Sequence, residues 1–318
     1  MTTQIAQAKA PTRRAFSEAL VKYGEKNRDF VVLEADIGQS TYTYLFGEKY
    51  PERYFNVGIA ELGMFATAAG VASSGRPVVA ASYGVFITMR ALEAIRSFIC
   101  YPNLNVKMLS SHGGLTAAID GATHQATEDI ANMSTLPNMK VLVPADTVAA
   151  AAAVTIAMET PGPVFTRLMR DPLFDIYEQG EQFVLGGSKT VRRGNDVTIA
   201  CYGDMVFQAL KAADALEEKG VQAEVLDLYS IKPYDRKAVL DSVKRTGAMV
   251  AIENHQKKNG LGYELAHLLL TTNPVPFESL GIDDTFGESG QYEKLLDKYG
   301  ISYSHVLESA LRVIARKR

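Results

Sequence analysis

The sequence contains 318 residues, 22% of them charged, with a formal net charge of -3 at pH 7. A chain of this length suits two compact domains, because single hydrophobic cores seldom grow beyond roughly 250 residues. The weak charge excludes the basic surface of a typical nucleic-acid-binding protein, and no segment approaches the ~20 apolar residues that cross a bilayer. With no apolar signal-peptide core near the N-terminus, a cytoplasmic protein without nucleic-acid or membrane partners is expected.

Short β-branched runs alternate with helix-length Ala- and Leu-rich segments in the first half of the chain, which predicts βαβ units and a parallel sheet. The expected strands cover residues 30–36, 53–58, 77–82, 105–111, 140–144 and 163–168. The expected helices cover residues 12–26, 60–73, 86–99 and 146–158. A flexible tail over residues 1–10 and a first domain over 11–170 are therefore predicted.

The alternation lapses between residues 171 and 189, where glycine and proline interrupt any periodicity, as is typical of an interdomain linker. It resumes over residues 190–318. Further strands are expected at 196–203, 223–229, 248–254 and 276–282, with helices near 205–219, 234–244 and 261–271. The predicted fold class is thus α/β, with two consecutive domains that each contain a mostly parallel sheet flanked by helices.

A glutamate stands where an expected strand gives way to an expected helix. The segment from Asn56 to Met64 reads NVGIAELGM and puts Glu61 in the first helical turn. Open α/β sheets bind ligands at such junctions, although a glutamate there can equally stabilise the helix dipole. The next expected strand ends near Tyr83 and Phe86, whose rings would face the same sheet edge unless they are ordinary core residues.

A glycine-rich loop follows the fourth expected strand. It runs over residues 111–130 as SHGGLTAAIDGATHQATEDI and holds two of the chain's five histidines, His112 and His124. Binding and catalytic residues concentrate on loops that a rigid sheet positions. The presence of His, Asp, Thr and Gln together therefore indicates that the loop lines a site.

These segments carry a family resemblance. FNVGIAELGM, the aromatic pair, SHGGLTAAIDGATHQATEDIA and LPNMKVLVPAD together resemble the pyrimidine-binding domain of transketolases and their relatives. The later segment TIACYGDM and the run ALKAADALEEKGVQAEVLDLYSIKPYD are similar to the C-terminal domain of the same family. The resemblance covers nearly the whole chain and implies thiamine diphosphate as the cofactor.

The resemblance implies roles for residues around the cofactor. Glu61 matches the catalytic glutamic acid that bonds the aminopyrimidine ring nitrogen, in a largely apolar pocket that would favour its protonated form. Tyr83 and Phe86 match positions that pack on that ring, and Met89 stands where the family often has a third aromatic residue. Asp36 matches a residue near the thiazolium side, with a simple strand-end cap as its alternative.

The resemblance also implies a sugar-binding set. His124 resembles the catalytic histidine that hydrogen-bonds the donor ketose, and Asp120 the acidic residue that reads a sugar hydroxyl. The family's sugar-phosphate site is matched by four residues, namely Arg13, Ser40, His112 and Arg167. Cations and a hydroxyl that converge on one anion would form a charge-assisted clamp, whereas scattered arginines are more often surface residues.

One part of the family's site has no counterpart in the sequence. Full transketolases carry a GDG...N segment that binds Mg²⁺ and, through it, the diphosphate. The only GD here is Gly203-Asp204, at an expected helix start, and the run at residues 260–265 lacks the third glycine of a dinucleotide loop. A partner subunit that corresponds to the N-terminal half and carries the Mg²⁺ site is therefore implied, in a two-fold assembly of two chains of each kind.

Three alternatives remain open at this stage. A β-subunit of an oxo-acid dehydrogenase shares both domains but typically has a different His-Ser loop, and a deoxyxylulose-phosphate synthase shares DGATHQ but is normally one long chain. A non-catalytic assembly subunit is the third alternative, because fold does not imply function. The sequence also leaves open which donor and acceptor sugars would react.

Overall fold

The computed structural model describes residues 6–317, so residues 1–5 of the expected tail and residue 318 lie outside it. The strands of the first half are β1 (Val31–Glu34), β2 (Tyr54–Asn56), β3 (Val78–Tyr83), β4 (Val106–Ser111), β5 (Lys140–Leu142) and β6 (Val164–Arg167). The second half contains β7 (Lys189–Arg192), β8 (Val197–Cys201), β9 (Ala223–Asp227), β10 (Ser230–Lys232), β11 (Met249–Gln256) and β12 (Phe277–Ile282).

Helices cover both faces of the two sheets. Those of the first half are α1 (Thr12–Lys26), α2 (Gly38–Thr41), α3 (Tyr44–Lys49), α4 (Glu61–Ser73), α5 (Leu92–Ala94), α6 (Asp129–Ser134) and α7 (Thr147–Glu159). Those of the second half are α8 (Met205–Glu217), α9 (Arg236–Thr246), α10 (Leu261–Thr272), α11 (Tyr292–Lys298) and α12 (Tyr303–Ala315). Two π-helical turns, Phe86–Arg90 and Ile95–Cys100, flank α5.

The predicted fold class is confirmed. The first sheet has the strand order β10-β5-β6-β4-β3-β1-β2 and is parallel except for β10. The second has the order β12-β11-β8-β9-β7 and is parallel except for β7. Strands buried on both faces explain the continuous apolar runs in the sequence, since helices cover parallel sheets on each side.

The second half of the chain contributes one strand, β10, to the first sheet. β10 pairs antiparallel with β5, and Lys232 at its end donates to the carbonyl oxygens of Ser134 (2.7 Å) and Leu136 (2.6 Å). A strand of three residues leaves no readable period in a sequence, and its pairing crosses the domain boundary. The prediction of two separate sheets did not include this exchange.

The described part of the predicted tail is held against the predicted linker. The amide of Ala8 donates to the carbonyl of Leu173 (3.1 Å), and the amide of Asp175 donates to the carbonyl of Ala6 (3.0 Å). Residues 6–8 are therefore paired with the part of the chain that leaves the first domain. Within residues 6–317, no helix combines the length and apolar character needed to cross a membrane.

Candidate functional site

Glu61 is the first residue of α4, at the carboxyl edge of the first sheet. A turn with Gly58 at a φ of 77° leads from β2 into this helix. The Glu61 side chain is only 4% exposed, and its Oε1 accepts a hydrogen bond from the Ser82 hydroxyl at 3.4 Å. This bond places the carboxyl group beside the end of β3.

Arg90 also contacts this carboxyl group, which the sequence prediction missed. Its Nη1 lies 3.3 Å from Oε2 of Glu61, and its guanidinium lies 4.0 Å from the Phe86 ring centroid. Phe86 and Arg90 are four residues apart in the helix predicted at 86–99, so the spacing itself could have indicated a shared face. The pocket around Glu61 is consequently less apolar than expected, because a guanidinium group lies against the carboxyl group.

Two aromatic rings and two imidazoles form one cluster at this edge. The Tyr83 ring centroid lies 4.0 Å from that of His112, 5.6 Å from Phe86 and 5.8 Å from His124. His124 also meets Phe86 edge to face at 5.4 Å. The structure therefore brings together the residues expected to contact the pyrimidine and the residue expected to contact the sugar.

A chain of polar contacts extends from this cluster to Arg13. The Tyr83 hydroxyl donates to Ser40 Oγ at 2.8 Å, and Arg13 Nη1 donates to the same oxygen at 2.9 Å. The buried Nε of Arg13 has no hydrogen-bond partner among the described residues. Burial lowers the pKa of Arg13, but an arginine stays charged, so a donor with a full positive charge remains available for an anion.

His112 and Asp120 adjoin this polar chain, together with an arginine that was not predicted. Nε2 of His112 lies 3.6 Å from Asp120 Oδ2, and Nε of Arg170 lies 3.1 Å from the same oxygen. Burial, followed by the nearby Arg13 and Arg170, lowers the pKa of His112 to about 2. His112 is therefore a neutral hydrogen-bonding group and not a cation, and its contact with Asp120 is not an ion pair.

Arg167 does not join the cluster. It belongs to β6, is completely buried, and its Nε donates to Asp129 Oδ2 at 2.8 Å. Arg170 follows the end of the same strand, and ligands of parallel sheets bind beyond the carboxyl ends of the strands. That rule, applied to the boundary of β6, would have favoured Arg170 over Arg167 from the sequence.

Asp36 lies apart from the imidazole cluster. It is exposed at the end of β1, in the left-handed region with a φ of 61°, and its Oδ1 accepts from Asn56 Nδ2 at 2.8 Å. Asn56 Oδ1 in turn accepts from the amide of Gly58 at 2.8 Å. A non-glycine residue in this conformation is often part of a functional site, but the observed contacts are those of a turn.

The residues present fit one end of thiamine diphosphate. The half-buried rings of Tyr83 and Phe86 can stack on a flat heterocycle, and the Glu61 carboxyl group can bond a ring nitrogen. Among residues 6–317, no group of three or more His, Cys, Asp or Glu side chains could hold a metal ion. The side chains that fit the cofactor are therefore those that would hold its pyrimidine ring.

The other motifs noted in the sequence have structural roles. Glu253 accepts from the amides of Leu261 (2.9 Å) and Gly262 (3.0 Å). Its carboxyl group therefore caps the start of α10, where a dinucleotide loop would bind phosphate. Cys100 and Cys201 are buried, and burial raises the pKa of both thiols, to about 11 for Cys100. The bonds to Glu253 agree with the helix start that the sequence predicts near residue 261.

Two family descriptions match this chain. "Transketolase, pyrimidine binding domain" covers residues 8–174, and "Transketolase, C-terminal domain" covers residues 186–306. Together these two regions include both sheets and every candidate residue described above.

Individual relatives match along nearly their full length. The 6-deoxy-6-sulfo-D-fructose transketolase subunit SqwH of Clostridium sp. is 36% identical over 96% of this chain and 95% of its own. A subunit of the apulose-4-phosphate transketolase of Phocaeicola vulgatus is 32% identical over 96% of this chain and 97% of its own. Among solved structures, a split-gene transketolase in an inactive β4 tetramer superimposes with a TM-score of 0.91 at 42% identity, over 97% of this chain and 99% of that one.

Proposed function

This chain belongs to the transketolase family, where it corresponds to the C-terminal half of split, two-subunit members, and we propose that it forms part of a thiamine-diphosphate-dependent ketol transferase. The observation that carries the proposal is the position of Glu61 beside Tyr83, Phe86 and the two imidazoles at one sheet edge. When bound, thiamine diphosphate supplies the nucleophilic carbon that takes a two-carbon unit from a ketose.

Glu61 would act on the aminopyrimidine of the cofactor. Its carboxyl group would bond a ring nitrogen and so control which pyrimidine nitrogen carries a proton. Arg90 would have to leave Glu61 for the aminopyrimidine to bond Oε2, because Arg90 Nη1 lies 3.3 Å from that oxygen. Tyr83 and Phe86 would hold the ring by stacking, and Asp36 would lie on the thiazolium side.

The sugar would lie on the other side of the aromatic cluster. His124 would hydrogen-bond the ketose near the reacting carbon, and Asp120 would accept from a sugar hydroxyl. Arg13, Ser40, His112 and, in place of Arg167, Arg170 would bind a terminal anion, as charged donors do most strongly. Two relatives are named for a sulfonated and a phosphorylated sugar, and the same guanidinium pair would bind either anion.

We propose further that activity requires a partner subunit with the diphosphate and Mg²⁺ site, in an assembly of two chains of each kind in the cytoplasm. Two relatives are named as subunits of transketolases, and the split-gene neighbour is described as inactive when it consists of β chains alone.

The test combines this chain with an N-terminal-half subunit, thiamine diphosphate and Mg²⁺, and follows ketol transfer from xylulose 5-phosphate to an aldose phosphate. Glu61→Gln should lower kcat by about 10²- to 10⁴-fold, the usual range for an acid–base group. Glu264→Gln is the matched control, because Glu264 also lies in the first turn of a helix, α10.

Equal activity of the Glu61→Gln and wild-type mixtures would remove the catalytic role of Glu61 and leave it as a helix-dipole residue. Full activity of this chain without a partner would contradict the split-enzyme proposal. A wild-type mixture with cofactor bound but no transfer to any sugar would favour the non-catalytic assembly subunit.

A further inference from the structure

The second domain reaches directly into the loop that carries the sugar-binding candidates. We define the site loop as residues 112–128, which includes His112, Asp120 and His124. Oδ1 of the fully buried Asn254, in β11, accepts from the amide of Leu115 at 2.9 Å. The amide of Gln256 in the same strand donates to the carbonyl of Thr127 at 2.7 Å. Both ends of the site loop are therefore bonded to one strand of the other domain.

A second set of contacts holds the middle of the site loop. Nε2 of the buried Gln125 donates to the carbonyl of Glu288 at 2.9 Å, and the amide of Gly290 lies 3.4 Å from the carbonyl of Ala118. Residues 286–290 precede α11, so this contact belongs to the second domain as well. The loop thus lies between β11 and the segment before α11.

Glycines at this junction are required by the closeness of the two domains. A Cβ atom on Gly114, whose φ is +57°, would lie 2.5 Å from Asn254, and one on Gly121 would lie 2.5 Å from Ser289 Oγ. A Cβ atom on Gly287 would lie 1.9 Å from Oε1 of Gln125. These glycines therefore fit the site loop to the second domain, where a larger residue would push the two apart.

The site loop also contains a strained backbone. Ala118 has a φ of 50° and a ψ of -107°, and His112 has a φ of 66°. Such conformations are unfavourable for residues other than glycine and persist only where the surroundings hold them. The amide of Gly290 in the second domain lies 3.4 Å from the carbonyl of Ala118, and within the loop Gln125 Nε2 donates to the same carbonyl at 3.4 Å.

We propose that the second domain is the template that holds the site loop in its ligand-binding conformation, with Asn254 as the central positioning residue. Asn254 forms hydrogen bonds with three different parts of the fold. Its side chain accepts from Leu115 and donates to Asp204 Oδ2 at 2.7 Å, while its carbonyl accepts from Arg167 Nη2 at 2.7 Å. The buried pair of Arg167 and Asp129 thereby connects the end of the site loop to β11.

The conformational part of this inference is tested on the full chain alone, without cofactor or partner. Hydrogen exchange of peptides from the site loop should be about ten-fold faster or more in Asn254→Ala, because local opening then needs fewer contacts to break. Ser242→Ala is the control, since it removes a buried 2.6 Å hydroxyl contact with Thr198 elsewhere in the second domain. Unchanged exchange in the site loop of Asn254→Ala overturns the proposal.

The catalytic part rests on the proposed function and is tested with the partner subunit present. Asn254→Ala should raise KM for the sugar by about ten-fold, the size of one lost buried hydrogen bond, and leave KM for thiamine diphosphate within two-fold, because Glu61, Tyr83 and Phe86 lie outside the site loop. An equal rise in both KM values contradicts a specific positioning role.

Asn254→Asp adds a readout that a merely structural residue would not give. The introduced carboxyl group would face Asp204, so the two must share a proton. Sugar KM should therefore recover towards the wild-type value as the pH falls, and a flat profile counts against the role of this contact. If the wild-type mixture transfers no ketol unit, the proposed function fails, and hydrogen exchange alone still decides whether the template exists.

Discussion

At the scale of single residues, two side chains of the same type have different roles because their surroundings differ. Arg167 and Arg170 are three positions apart, yet one forms a buried pair with Asp129 and the other contacts Asp120 beside His112. The first guanidinium is held by three acceptors within the fold. The second, at the sheet edge, is the one in position to bind a ligand.

Substitution of Arg170 should change sugar binding, whereas substitution of Arg167 should change stability. Arg170→Gln should raise KM for a phosphorylated sugar by about 10- to 100-fold, since hydrogen bonds to charged groups contribute about 1.5–3 kcal/mol. Its melting temperature should stay close to that of the wild type. Arg167→Gln should lower the free energy of unfolding by about 3–5 kcal/mol, because Asp129 would be left as an unpaired buried charge. Steady-state kinetics and thermal denaturation measure the two effects, and the reverse assignment would contradict these roles of the two arginines.

At the scale of elements, most regular helices and strands follow from the sequence, which did not predict α11 and α12, but the irregular parts do not follow from it. The predicted helix at 86–99 exists as π-helical turns around α5. π-Helical turns inside helices occur frequently at functional sites. The site loop is a second irregular element. Its glycines Gly114 and Gly121 lie against residues of the second domain that are more than a hundred positions away in sequence, so no local pattern reveals the contact.

The close approach of Gly121 to Ser289 predicts that a second substitution can restore the stability lost in Gly121→Ala. Gly121→Ala should destabilise the protein more than Gly220→Ala, although the two residues have similar φ values of 79° and 77°, because only the first would meet another side chain. Ser289→Ala should restore much of the lost stability in combination with Gly121→Ala, since it removes the Oγ atom at 2.5 Å. Urea denaturation of the four variants measures the coupling. If Gly121→Ala and Gly220→Ala lower stability equally, backbone strain alone explains both effects, and a clash with Ser289 Oγ is excluded.

At the scale of the whole molecule, buried carboxyl groups fasten the linker to both domains. Asp146, the residue before α7, accepts from the amides of Ile176 (2.8 Å) and Tyr177 (2.7 Å). The Tyr177 hydroxyl donates to Asp227 Oδ2 at 2.5 Å, at the end of β9. Together with β10 in the first sheet, these contacts join the two domains into one body, as a template for the site loop requires.

Asp227 should make stability depend on pH. Burial raises its pKa from 3.8 to about 8, so the folded state keeps a proton that the unfolded state loses between these values. The contribution of Asp227 is therefore complete below pH 3.8 and is lost as the pH rises towards 8. Asp227→Asn, which keeps an acceptor for Tyr177, should gain stability relative to the wild type as the pH rises from about 5 to about 8. Parallel pH profiles of the two unfolding free energies would show that Asp227 does not titrate in this way.

The α/β class, the family, most long strands and helices, and the placement of Glu61, Tyr83, Phe86 and His124 near one sheet edge could be predicted from the amino-acid sequence, because each depends on local periodicity or a contiguous motif. Other contacts are visible only in the folded chain. Arg167 pairs with Asp129, Arg90 contacts Glu61, and β10 and Asn254 connect the domains. These contacts join residues far apart in sequence, so their formation depends on where the sheets end and how closely the two domains pack.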